Sequence, residues 1–422
     1  MRHPSCSVVL LLLTALPVAS RAAQVAPKPK PSTIGQPASP AAGSSASPAP
    51  ARSASDALFE ATAKQAQDAH AAKQLEEAVE LYQKALKLRP GWTLGRFGLG
   101  TVLYDLDRFT DARNAFRRVT AERPKQATAW AFQGLCSFRL REYETALDEI
   151  QKGRELGLGD NAQVQAVANY HAAILFIRFG KFEVAYETLR EFALRDQDNP
   201  GVIEAFGLSV LRQPYLPSEA PAEKREMILM AGRAGYELAR GRRSPNTRRV
   251  FESLVTRYPE ETNIRYSWGA YLLLDEPEAA LAEFRRVLAM DPTYVPAMLQ
   301  LAFQNIKQGQ FTEALPYAEK AVELDPRQFA ARNALGRTLL ELGETDRAIQ
   351  ELEVGAKLAP DSPQMLFHLA RAYQRAGRKA DADRIRAEFI KLDRAARGKK
   401  TTMTGQGALG EAPADPQEPP QD

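Results

Sequence analysis

The side chains able to bind a metal or attack a substrate are few in this chain and widely separated. Its histidines are His3, His70, His171 and His368, and its cysteines are Cys6 and Cys136. Two ligands on one helix need i, i+4 spacing, and a zinc knuckle needs Cys-x-x-Cys; neither pattern occurs. Asp196-x-Asp198 opens like a calcium loop, but Pro200 takes the fifth position and Gly207 the twelfth, where a bidentate Glu is required. That segment reads as a turn between helices. Gly95-x-x-Gly98-x-Gly100 has the spacing of a phosphate-cradling loop, yet such a loop needs a strand before it and a helical pattern precedes this one. Gly398-Lys399-Lys400-Thr401 lacks the upstream glycine of a P-loop, and neither Gly-x-Ser-x-Gly nor His-Glu-x-x-His occurs. Carboxylates are scattered along helices beside Lys and Arg, as in Glu319 and Glu323 around Lys320. The expectation is a protein with no catalytic residue, metal or cofactor.

The elements that carry these residues repeat. Pro90 and Pro124 lie 34 residues apart, and Pro259, Pro292, Pro326 and Pro360 follow one another at 33, 34 and 34. A fixed period of this size is the mark of a stacked repeat array. Each proline ends a helix, because it has no N–H to donate and disfavours helical geometry in the residue before it. In Ala297–Pro326 the residues Met298, Leu301, Ala302 and Asn305 share one helix face. Gly309 breaks that helix, and a second carries Ala314, Ala318, Ala321 and Leu324 up to Pro326. Two such helices joined by a tight turn make a helix hairpin.

This unit closely resembles the tetratricopeptide repeat, in which small residues stand where the two helices cross. The likeness can be followed through nine units. Their markers are Ala78, Tyr82, Ala85 and Pro90; Leu99-Gly100, Ala112, Phe116 and Pro124; Trp130, Gly134, Ala146, Ile150 and Gly153; and Ala173, Gly180, Ala185 and Leu189. After a break come Ala231, Gly235, Phe251 and Pro259; Trp268-Gly269, Ala280, Phe284 and Pro292; Ala302 to Pro326; Leu335-Gly336, Ala348 and Pro360; and Leu369-Ala370, Tyr373, Gly377 and Ala382. The fold expected is an all-α, right-handed superhelical solenoid of helix-turn-helix repeats, about nine units long, with a proline-rich break near 213–227. In the fifth unit Thr247 replaces the expected alanine. In the break, Val202–Arg212 reads as one more helix, stopped by Pro214, Pro217 and Pro221.

The ends differ in composition. Arg2 and His3 precede an apolar run at Val8–Ala19, with small residues at Ser20 and Ala22, the pattern of a secretory signal peptide over residues 1–22. Twelve residues fall short of the ~20 that span a bilayer, and Cys6 precedes the run, which argues against lipidation. Residues 23–55 are rich in Ala, Pro and Ser and read as a disordered linker. The array is expected at 56–212 and 228–395, around an insertion at 213–227, with a disordered tail over 396–422. The chain has no Asn-x-Ser/Thr sequon, so a bacterial periplasmic or extracellular location is expected. No membrane insertion is expected after signal cleavage. Lys and Arg number 56 against 52 Asp and Glu, a balance unlike that of a nucleic-acid binder.

In the resembling family the first helices line the concave wall, and their second, fifth, ninth, twelfth and thirteenth positions face it. Those positions give Phe97, Tyr104, Phe138, Arg139, Tyr170, Ile174 and Arg178 before the break. After it they give Tyr266, Leu299, Phe303, Arg337, Phe367, Arg371 and Arg375. A row of aromatics edged by arginines suits an extended peptide or an amphipathic helix with an acidic edge. Arg240, Arg242, Arg243, Arg248 and Arg249 cluster near one inter-helix turn, either as a solvated loop or as a patch for an acidic partner. The function expected is an exported protein-interaction scaffold. The alternative is an accessory module of a cell-envelope enzyme or export complex that handles polysaccharide or peptidoglycan.

Overall fold

The computed structural model describes residues 54–403 apart from 160, 242–244 and 274, with side chains described as far as 394. The expected signal peptide, the linker as far as residue 53 and the tail beyond 403 lie outside the described residues. Among the described residues the chain is all-α, with 19 α-helices and no strand. Eight helices pair as hairpins in the first part. They are α1 (Ala54–Ala71) with α2 (Leu75–Leu88), α3 (Thr93–Asp105) with α4 (Phe109–Glu122), α5 (Ala127–Arg139) with α6 (Tyr143–Leu156), and α7 (Ala162–Arg178) with α8 (Phe182–Leu194). The unpaired α9 (Pro200–Val210) follows. Ten more form five hairpins: α10 (Arg225–Ala239) with α11 (Pro245–Arg257), α12 (Thr262–Leu272) with α13 (Pro277–Met290), α14 (Val295–Lys307) with α15 (Phe311–Leu324), α16 (Phe329–Glu341) with α17 (Thr345–Leu358), and α18 (Pro363–Arg375) with α19 (Lys379–Met403).

The chain divides into two compact units, one comprising the chain to Ser209 and Gln213–Ala220, the other Val210–Arg212 and the chain from Pro221. Within each unit the hairpins stack in chain order, each against its neighbours, as in a helical solenoid. The proline-rich segment holds two single-turn 3₁₀ helices, Pro217–Glu219 and Ala222–Lys224. Two expected boundaries shift. Helix α10 starts at Arg225, inside the expected insertion, and α19 runs to Met403, eight residues past the expected end of the array. The charged 391–403 stretch is therefore helical: it continues a helix already anchored by Ala382 and Ile385, which are buried.

Small residues let the paired helices touch. A Cβ added at Gly100 would lie 2.8 Å from the Phe116 ring, and one at Gly269 would lie 2.8 Å from the Phe284 ring. At Gly134 it would meet backbone, 2.8 Å from the amide nitrogen of Ile150 and 2.9 Å from the Ala146 carbonyl oxygen. The glycines with phosphate-loop spacing thus lie inside α3 and serve helix packing. Thr247, at an alanine position, is accommodated as a buried side chain.

Seven of the nine hairpin turns close the same way among the described residues. In the seventh, Gly309 takes φ of +75°, and the Gln310 N–H bonds the Asn305 carbonyl at 2.8 Å, a Schellman-type cap. Several repeats also begin just after a proline. Arg96 donates to the Pro90 carbonyl, Trp130 to Pro124 at 2.9 Å, and Arg332 to Pro326 at 3.1 Å, which satisfies a carbonyl stranded after a helix end. The bulky fourth residue of a repeat therefore works as a donor as well as a packing element.

Two polar groups sit in this packing. Glu149, largely buried, accepts from Gln133 Nε2 and Ser137 Oγ, each at 2.6 Å, while Thr120 Oγ1 donates to Gln133 Oε1 at 2.9 Å. The chain of bonds joins α4, α5 and α6 and leaves none of its members unsatisfied. His171 is buried in α7 against the Phe138 ring, 4.8 Å away edge-on. Its Nδ1 lies 2.8 Å from the Val167 carbonyl, an acceptor only, so Nδ1 carries the proton and donates. Burial holds its pKa down, at about 4.

Two stability outcomes follow from this packing. Gly134→Ala should cost about 1–3 kcal/mol, because the displaced neighbours are backbone. Gly91→Ala, with nothing within 4 Å of the new Cβ, should stay within about 0.5 kcal/mol of wild type. Urea denaturation of both variants checks the contrast, and equal midpoints would contradict it. His171 binds its proton more weakly folded than in the unfolded chain, where histidine titrates near 6.5. Its contribution is complete above about pH 6.5 and is lost as pH falls toward 4, by about 3 kcal/mol in total. His368, also near 4, adds to the same limb. Denaturation midpoints across pH 4–7 should therefore fall about half as steeply in His171→Leu; an unchanged slope would place its titration elsewhere.

Candidate partner-binding site

The expected wall residues sit on first helices of the hairpins, and neighbouring first helices touch along α1, α3, α5 and α7 and along α14, α16 and α18. In the first unit the aromatics pack on one another. Phe97 of α3 meets Phe116 at 5.4 Å and Phe132 of α5 at 5.8 Å, both edge-on. Tyr104 lies 5.4 Å from Phe109 and 6.1 Å from Phe132. Burial pushes its phenol up to about 12. Phe97, Tyr104 and Phe138 are half-buried. Phe132, at the centre of this cluster, escaped the positional reading because it stands at the sixth position. The signal for it was its spacing from Phe97 and Phe116.

Four expected wall residues of this unit make contacts within the chain. Ile174 is 4% exposed and belongs to the core. Tyr170 is half-buried, with its hydroxyl close enough to Gly201 that a Cβ there would lie 3.1 Å away. Desolvation raises the pKa of that phenol above its ordinary value. It packs against the start of α9. Arg178 donates to the Pro214 carbonyl at 3.3 Å and pairs with Glu219 at 3.4 Å. It ties down the proline segment. Arg139 pairs with Asp107 at 3.2 Å and lies 4.2 Å over the Phe109 ring.

In the second unit Tyr266 lies 5.6 Å from Phe284 and 5.4 Å from Tyr294. Leu299 and Phe303 of α14 are half-buried against the core of the last repeats. The geometry is most open on α18. Phe367, Arg371 and Arg375 recur every four residues along one face of it. Phe367 is 51% exposed, and its ring meets Phe389 of α19 at 6.1 Å. Arg371 and Arg375 share the carboxylate of Glu341 on α16, at 2.7 and 3.6 Å. Arg375 also donates to the Leu340 carbonyl at 2.5 Å. Arg337 of α16 is half-buried, and desolvation and Arg371 together lower its pKa. His368 stands beside Arg337 and Arg371; burial and those two charges hold it near 4. Its Nδ1 and the Oδ1 of Asn333 are buried without a hydrogen-bond partner. Three guanidinium groups here stand against one carboxylate.

The basic cluster near 240–249 is less open than its sequence implies. Arg248 is bound by Glu252 at 2.8 Å and by Glu276, and its guanidinium lies 5.4 Å over the Trp268 ring. Arg240 pairs with Glu237 at 3.6 Å. Arg249 is exposed, and Arg242 and Arg243 lie outside the described residues. Cys136 is fully buried, and burial pushes its thiol up to about 12, which leaves it protonated and unreactive at neutral pH. Among the described residues no three His, Cys, Asp or Glu side chains gather as metal ligands, and no helix is long and apolar enough to cross a membrane.

Models of the tetratricopeptide repeat match residues 69–91, 97–157 and 305–366. The chain is 26% identical over 287 residues to the CTR9 homolog of Arabidopsis thaliana, a match covering 67% of this chain and 24% of that protein. It is 30% identical over 143 residues to cellulose synthase operon protein C of Xanthomonas axonopodis pv. citri, covering 32% of this chain and 10% of that protein. The chain thus spans a quarter or less of the length of these relatives. Among solved structures, MamA from Desulfovibrio magneticus RS-1 aligns with a TM-score of 0.36 and 22% identity, over 40% of this chain and 94% of that one. The repeat matches fall on the same hairpins whose glycines, turns and prolines recur in register, and the chain belongs to the tetratricopeptide repeat family, a family of protein-binding scaffolds.

Proposed function

We propose that this chain is an exported scaffold that holds a peptide or amphipathic helix of a protein partner against the first helices of its repeats. One observation carries the reading. Phe367 stands half out of the surface with Arg371 and Arg375 on the same helix face, an apolar anchor beside cations. Rigid helices present these groups already ordered, so little entropy is lost on binding. The aromatic supplies affinity, and the arginines supply orientation and rate for a segment with an acidic edge. The mechanism is binding alone, without catalysis or cofactor. Export to a bacterial periplasm or exterior rests on the Arg2, Val8–Ala19 and Ala22 pattern.

A second reading has the chain serve a cell-envelope complex that handles polysaccharide. The stretch resembling cellulose synthase operon protein C favours it. Under both readings the same face does the binding.

Phe367→Ala should weaken partner capture by about 1–3 kcal/mol while leaving helicity and melting temperature nearly unchanged. Arg249→Glu, at an exposed position of α11, serves as the control. Capture lost in the control and kept in Phe367→Ala would move the binding surface to the basic cluster. The export reading predicts a mature chain starting near Ala23, and N-terminal sequencing that recovered Met1 from the exported protein would contradict it.

A further inference from the structure

Arg337 of α16 is a cation left over. Arg371 holds one oxygen of the Glu341 carboxylate at 2.7 Å, and Arg375 holds the other at 3.6 Å. Arg337 is half-buried and has no ion-pair partner among the described residues. Desolvation and the Arg371 charge both lower its pKa, so the guanidinium is held where its own charge is disfavoured. Arginine does not escape by losing its proton, and an anion from outside is what relieves the cost.

Two further groups at this place lack partners. Asn333 is 7% exposed, and its Oδ1 is buried and unbonded, one turn before Arg337 on the same face of α16. The Nδ1 of His368 is buried and unbonded too, one turn before Arg371 on α18. Helices α16 and α18 touch, and His368 feels the charges of both Arg337 and Arg371. An unpaired buried acceptor costs stability that an apolar residue of the same shape would not.

These groups need two things at once. Arg337 and Arg371 donate only, so they need negative oxygens; the Asn333 Oδ1 accepts only, so it needs a donor. A carboxylate brings no donor, and neither does sulfate near neutral pH. A phosphomonoester brings both, because its second ionisation lies near pH ~6 and a share of it keeps one O–H beside its charged oxygens. The charge agrees as well. Three guanidinium groups against one carboxylate leave two positive charges, and a phosphomonoester carries about −1.5 to −2.

We propose that Asn333 and Arg337 of α16, with His368 and Arg371 of α18, form a binding site for a phosphomonoester group. Its charged oxygens meet Arg337 and Arg371, its O–H donates to the Asn333 Oδ1, and His368 donates to it from Nδ1. The group is free phosphate or is borne by the partner. The proposal rests on the reading that this face binds a partner and names one chemical group that the face takes.

Isothermal titration calorimetry of the full chain at low salt and at about pH 6, the second ionisation of a phosphomonoester, tests it with inorganic phosphate, glycerol 3-phosphate and sulfate. One or both phosphates should bind at least about ten-fold more tightly than sulfate, the size of one hydrogen bond to a charged group. Tighter binding of inorganic phosphate identifies the free ion as the ligand, and tighter binding of glycerol 3-phosphate identifies a partner-borne monoester. Arg337→Gln should abolish phosphate binding. Asn333→Leu should bring phosphate down to the level of sulfate without lowering the melting temperature, because the amide oxygen it removes is unbonded. Lys357→Gln, which removes an exposed charge from α17, should leave all three titrations unchanged. Circular dichroism checks that each variant is folded. Equal affinity for phosphate and sulfate in wild type, or phosphate binding that survives Arg337→Gln, would overturn the proposal. No phosphate binding beside intact, Phe367-dependent capture of a partner would overturn it and spare the scaffold reading.

Discussion

Two helices of a hairpin can approach only as closely as the side chains between them allow, and that limit organises this molecule. Gly134 has backbone atoms of α6 within contact distance of where a Cβ would be, and Gly100, Gly269 and Gly336 have large side chains there instead. Ala302 and Ala370 fill the same position in the seventh and ninth hairpins and are buried. Close crossing fixes the angle of each hairpin, the angle decides which side of a first helix is covered, and the uncovered remainder is what a partner can reach. The binding face is thus a by-product of packing.

Most of the architecture was legible because it recurs. A proline every 33 or 34 residues, a small residue at each crossing and a turn residue between helices are each weak signals, but they agree in register. The unpaired α9 and the proline segment after it could be read for the same reason: the pattern fails there. The helical extension of α19 was not legible, because its charged 391–403 stretch has no repeat to compare with and owes its helix to the anchored turns before it. At the start, α1 carries no family marker and is defined by its packing, with Phe59, Ala63 and Ala66 buried.

The binding face was only partly legible. Repeat position places a Cα on one side of a helix, but the length of the side chain and the identity of the neighbour decide whether it emerges. Ile174 is short and ends in the core; Phe367 is long, near the end of the array, and emerges. Tyr170 and Arg178 are long enough, but α9 and the proline segment take them up. Arginine clusters were misleading for a related reason: Arg248 reads as free charge in the sequence and is neutralised by Glu252 and Glu276, the latter 28 positions away. What survives is the α16–α18 surface, where three arginines face one glutamate.

The central claim is that binding takes place on first helices and is strongest at the last repeats. Hydrogen–deuterium exchange of the full chain with and without a captured partner tests it most directly. The account predicts added protection on α14, α16 and α18, with α15 and α17 unchanged. Protection confined to the second helices, or to the turn between α10 and α11, would contradict it.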